Sequence, residues 1–192
     1  MVILKSPEEI DKIRVSNHIV AEILTRLREK VKPGVTTGEL DRYSEELTRK
    51  NRVTPAFKGY RGYPFALCTS VNEEVVHGMP SERPLVAGDI LSMDFGVIYK
   101  GYYGDAAITV PVGKVSNNAE RLMRVTEQGL FKGIEQAKAG NRLGDVSSSV
   151  QKHVEADGFS VVRDFVGHGI GRNMHEDPQI PNYGVAGRGI QL

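Results

Sequence analysis

The chain has 192 residues, 40% of them hydrophobic and 26% charged, with 25 basic against 24 acidic side chains. A core of that size needs no disulfide or structural metal, and the single cysteine, Cys68, excludes a disulfide framework and any CxxC zinc or redox site. The near-neutral balance without a basic run argues against nucleic-acid binding by phosphate neutralisation; the short apolar stretches and the absence of a signal peptide exclude a membrane partner and point to a cytoplasmic protein.

Ser6-Pro7-Glu8-Glu9 carries an N-cap serine, a proline at the first helical position and a glutamate three residues after the cap, so a helix should start there. Ile10, Ile13, Val20, Leu24, Leu27 and Val31 lay one apolar stripe along it until Pro33-Gly34. Thr36 to Glu39 caps a second helix, with Leu40, Tyr43 and Leu47 on one side and a basic end at Arg49, Lys50 and Arg52. Strands are then expected at Leu67 to Val71 and Glu74 to Val76, followed by a hairpin of Ile90 to Ile98 and Tyr102 to Val110 closed near Lys100-Gly101. A helix capped by Ser116 or Asn118 runs to about Ala139, another from about Gly144 to Asp157, and a strand near Phe159 to Val166 leads into a glycine-rich segment.

Lys32-Pro33-Gly34, Gly38, Glu39 and Leu40 recur as Lys138-Ala139-Gly140, Gly144, Asp145 and Val146 at a constant offset of 106 residues. Each copy lies between a long helix and a shorter one, which suggests two related halves. At that offset, the second-half counterpart of the hairpin would fall beyond Leu192, so the second half reads as incomplete.

Asp94 and Asp105 each interrupt an apolar strand. With an even number of loop residues around Lys100, the strand period of two puts them on one face, opposite or diagonal; an odd loop separates them. Two half-buried carboxylates at close range resist joint ionisation and call for a cation or a shared proton. Taken singly, each reads more readily as a strand-end or bulge aspartate facing water. His168, among Gly167, Gly169 and Gly171, and His175, which opens His175-Glu176-Asp177-Pro178, are candidate metal ligands or proton carriers, though their spacing is not diagnostic. His77 ends a strand at a sharp turn, His18 and His153 read as solvated helix residues, and Cys68 as a small apolar strand residue. No Ser-His-Asp or Cys-His arrangement supports covalent catalysis.

Together, Val71 to Pro80, Asp94 and Asp105, Gly167-His168-Gly169-Ile170-Gly171-Arg172 and His175-Glu176-Asp177-Pro178-Gln179 resemble a type I methionine aminopeptidase of peptidase family M24 over essentially the whole chain. The resemblance implies an α/β (α+β) pita-bread (creatinase/aminopeptidase) fold with a pseudo-two-fold repeat. It makes 1–192 one catalytic domain, truncated at its C-terminus, with a first half at about 1–113 and a partial second half at about 114–192. It implies two divalent metal ions (Co, Mn, Fe or Zn), with Asp94 binding one, Asp105 bridging both and His168 binding the other. His77 and His175 contact the substrate and the tetrahedral intermediate, and Tyr60, Tyr63, Cys68 and Met174 line the methionine pocket. The implied reaction removes the initiator methionine of nascent polypeptides when the next residue is small, by a monomer, with the ribosome as a candidate partner. The family's two further glutamate ligands have no counterpart in these 192 residues, so activity of the chain as given is in doubt. The alternatives are a non-catalytic binding module or inactive fragment of the same fold, and an Xaa-Pro dipeptidase.

Overall fold

The computed structural model describes residues 1–192, which divide into two units: Ile3–Ser116 with Ile170–His175, and Asn117–Gly169 with Met1–Val2 and Glu176–Leu192. No helix is long and apolar enough to cross a membrane.

The first unit opens with α1, Pro7–Lys30, started by the Ser6/Glu9 capping box, and α2, Thr37–Asn51, started by the equivalent Thr36/Glu39 box. The strands β1 (Thr54–Pro55), β2 (Leu67–Val71), β3 (Ile90–Tyr99) and β4 (Tyr102–Pro111) form one antiparallel sheet. β3 is central, with β4 along one side and β2 followed by β1 along the other. Alternation along β3 sends Leu91, Met93, Phe95 and Val97 into a core with Val20, Ile23, Leu24 and Leu27 of α1 and Leu40 and Leu47 of α2. The opposite face carries the even-numbered residues of β3, Asp94 among them.

Helix α1 lies close on β4 because Gly104 has no side chain: a Cβ there would come within 2.6 Å of the Ser16 carbonyl carbon. Ser16, fully buried, donates from Oγ to the Tyr102 carbonyl at 2.8 Å, and Asn17 Oδ1 accepts the Asp105 N–H at 3.2 Å. Asp41 on α2 accepts the N–H groups of Ala66 and Leu67 at 2.9 and 3.0 Å, fixing the start of β2.

In the second unit, α3 (Asn117–Gln136) packs on α4 (Leu143–Ala156) where Gly129 and Gly133 admit Val154, Val150 and Val146. β5 (Gly167–Gly169) and β6 (Glu176–Ile180) pair antiparallel with a register shift between His168 and Gly169.

The repeat read in the sequence is present as a repeated backbone pattern. Gly34, at φ +90°, donates to the Leu85 carbonyl, and Gly140, at φ +93°, donates to the Leu192 carbonyl. Gly38 and Gly144 each receive a return loop, through the carbonyls of Ser81 and Arg188 respectively. A Cβ at Gly38 would lie 3.1 Å from the Ser81 oxygen, and one at Gly144 would lie 2.2 Å from the Val185 oxygen, which is why small residues recur there.

Three expectations are corrected. Glu74 to Val76 is not a strand: Asn72 turns the chain at φ 57°, Glu74 Oε2 takes the Val71 N–H, and Val75 and Val76 face solvent. Phe159 to Val166 is not a strand either, because the Asn182 amide takes the Val162 and Phe165 carbonyls and regular pairing begins only at Gly167. His153 is not a solvated helix residue; it packs beside Gly129 with Nε2 shielded from solvent, whereas His18 is exposed.

Candidate active site

The β3–β4 hairpin has a two-residue loop, Lys100-Gly101, and pairs Asp94 with Ala107 and Gly96 with Asp105. The even loop puts both aspartates on one face, diagonal to each other. Their carboxyl groups act on each other's ionisation. Burial, and then the neighbouring Asp105 charge, raise Asp94 well above the ordinary carboxylate range, against a smaller opposing effect from the Phe95 N–H. Cys68 pairs with Asp94 across β2 and β3, and burial pushes its thiol up to about 11, so it is not a ready nucleophile.

Beside the aspartates, Cys68 clusters with Ala56, Phe57 and Met174, and Tyr60, Tyr63, Ile98 and Tyr103 pack against them. Three of the four expected pocket residues therefore meet the fourth, Met174, in one apolar group. The segment carrying Met174 is fixed on β4 by the Tyr103 N–H, which donates to the Gly171 carbonyl at 2.8 Å. The next residue, His175, is reached by Tyr60: its hydroxyl and His175 Nδ1 are 2.9 Å apart, with the rings stacked at 5.6 Å. Tyr63 donates to the carbonyls of Leu67 and Gly78, which ties down the loop on which His77 sits exposed at φ 60°.

His168 lies on β5 of the second unit. Its Nδ1 is 2.9 Å from the Gly169 carbonyl oxygen, which can only accept, so Nδ1 carries the hydrogen and Nε2 is the nitrogen with the lone pair. That orientation is the one metal-binding histidines adopt through a backbone partner.

Nowhere do three or more His, Cys, Asp or Glu side chains gather closely enough to hold a metal ion. The gathered donors are the two aspartates. In chemistry they fit a divalent cation: hard oxygen donors, half-buried and mutually repelling, whose ionised forms a dication stabilises.

Nothing in the sequence marks Asn17, which holds the Asp105 backbone, or Asp41. The contact in which Glu9 accepts from Tyr102 at 2.7 Å and pairs with Arg172 at 3.4 Å is equally without a signal. Glu9 was legible only as a capping residue, because its partners lie far along the chain.

The chain is a metallopeptidase by family: the model of metallopeptidase family M24 matches residues 11–191, and the chain belongs to that family. The methionine aminopeptidase of Clostridium perfringens is 55% identical over 192 residues, covering 100% of this chain and 77% of that protein. Methionine aminopeptidase 1 of Bacillus subtilis is 47% identical with the same coverage. The crystal structure of methionine aminopeptidase from Thermotoga maritima matches with a TM-score of 0.98 at 50% identity, covering 100% of this chain and 78% of that one. Within the family, the chain is thus one of the methionyl aminopeptidases, with their pita-bread fold. A prolidase from Pyrococcus furiosus, at TM-score 0.83 and 23% identity, shares the fold alone.

Proposed function

We propose that this protein removes the N-terminal methionine of nascent polypeptides whose second residue is small, and that the Asp94–Asp105 pair is the centre of the site. The observation that carries the reading is that pair: two carboxyl groups diagonal to each other on one face of a sheet, with Asp94 held above its ordinary ionisation range. Asp94 and Asp105 would offer carboxylate donors, and His168 an imidazole Nε2, to divalent ions drawn from Co, Mn, Fe and Zn, all of which accept such donors. Such ions supply Lewis acidity and an activated water near neutral pH.

The chain's own residues do the rest. The apolar group of Tyr60, Tyr63, Cys68 and Met174 takes the methionine side chain, where thioether and aromatic surfaces make favourable contact. His77 and His175 bind the peptide and donate to the oxygen on which charge develops.

Methionine release from a Met-Ala-Ser peptide, with each of the four cations and with chelator, tests this reading. Release is expected only with cation, and Asp105→Asn should lower it by about 100-fold or more, because an amide cannot neutralise cationic charge. Release in chelator, or near-normal release by Asp105→Asn, refutes it.

A further inference from the structure

We propose that Tyr60 is a positioning residue, whose hydroxyl donates to Nδ1 of His175 and thereby fixes that imidazole with its proton on Nε2. This rests on the reading that His175 contacts the peptide, and it gives Tyr60 a role beyond lining the pocket.

The geometry is specific. The 2.9 Å contact closes between residues 115 positions apart, with the two rings inclined by only 27°. Both partners are held by their own backbones. Tyr60 sits in a turn in which its N–H donates to Phe57 O at 2.9 Å and the Gly59 N–H donates to Tyr63 O at 2.7 Å. Arg61, the next residue, is at φ 48°, a left-handed conformation costly for a side chain of its size and one that persists where the surroundings impose it. On the other side, Met174 is only 4% exposed and anchors the residue before His175 in the apolar group.

The direction of the bond follows from charge. A phenol can donate or accept, and so can a neutral imidazole nitrogen, depending on its tautomer. The Arg61 guanidinium lies 5.5 Å from the Tyr60 ring centroid, and a cation over the ring draws electron density from the phenol and favours it as donor. Nδ1 then accepts, and Nε2 carries the N–H. An N–H at that nitrogen suits a substrate carbonyl oxygen, which only accepts. A free choice of tautomer would leave part of the protein with the wrong nitrogen protonated.

Tyr60→Phe removes the hydroxyl and keeps the ring, its stacking and its apolar surface. Nitrogen-15 NMR of histidine-labelled protein, with the His175 signals assigned through His175→Gln, reads the tautomer directly. Wild type is expected to show the Nε2–H form alone and Tyr60→Phe a mixture. The kcat for methionine release should fall about tenfold with KM nearly unchanged, because the Nε2–H that Tyr60 fixes acts on the substrate oxygen chiefly in the transition state. Wild type with the proton on Nδ1, or an identical His175 pattern in Tyr60→Phe, overturns the proposal. If the pattern shifts as expected while wild type releases no methionine with any cation, the positioning role stands and the assigned reaction falls.

Discussion

Replacing Gly104 by alanine perturbs the contact that brings α1 onto β4. The added Cβ would lie 2.6 Å from the Ser16 carbonyl carbon, 2.7 Å from Ser16 Cβ and 2.8 Å from the Asn17 nitrogen. Ordinary carbon contacts lie near 3.5 to 4.0 Å, so the helix must withdraw by roughly 1 Å. Two of the three clashing atoms are backbone, so trimming Ser16 gives no relief. Withdrawal stretches the 2.8 Å bond from Ser16 to Tyr102 and the 3.2 Å bond from Asp105 to Asn17. Overpacking costs about 1 to 3 kcal/mol and a weakened buried hydrogen bond about 1 more, giving roughly 2 to 4 kcal/mol. For a chain of this size that lowers Tm by about 5 to 15 °C. Thermal denaturation followed by circular dichroism measures the shift, with Gly101→Ala as the comparison. That position has open space and φ +80°, so only local strain of about 1 kcal/mol is expected. A Tm for Gly104→Ala within about 1 °C of wild type would refute the close-packing argument.

Two further outcomes follow from buried carboxyl groups. Asp94 has a folded-state pKa above its unfolded value of about 3.9, so in the metal-free protein its contribution to stability falls as pH rises through the unfolded value toward the folded one. The Tm in chelator should decline between pH 5 and pH 8, and Asp94→Asn should flatten that decline; an unchanged slope contradicts the assignment. Asp41→Ala leaves the buried N–H groups of Ala66 and Leu67 without their acceptor, at a cost of about 2 to 4 kcal/mol by urea denaturation. Asp41→Asn keeps an acceptor oxygen and should lose less; equal losses in the two variants would contradict that account.

Much of the fold is legible where the signal is local. Ser6 with Glu9 and Thr36 with Glu39 announce helix starts because capping is a contact between residues three apart. The parity of the Lys100-Gly101 loop decides that Asp94 and Asp105 share a face, and the structure adds that they are diagonal. Composition misleads where side chains take over backbone partners: Glu74 accepts the Val71 N–H and Asn72 the Ile90 N–H where the chain turns, and Asn182 donates to the Val162 and Phe165 carbonyls. β6 carries no strand signal, because Glu176-Asp177-Pro178-Gln179 has neither the alternation nor the composition of a strand. The supports of the site, Asn17 for Asp105, Asp41 for β2 and Tyr60 for His175, join residues 25 or more apart, and no periodicity or motif encodes such pairs.

Calorimetric titration of Mn²⁺ into metal-stripped wild type, Asp94→Asn and Asp105→Asn tests most directly whether the half-buried aspartate pair is a cation site. Saturable binding by wild type, weakened about 100-fold or lost in both variants, is the expected result. An isotherm shared by all three proteins, or no binding by wild type, would contradict the assignment of Asp94 and Asp105 to the metal.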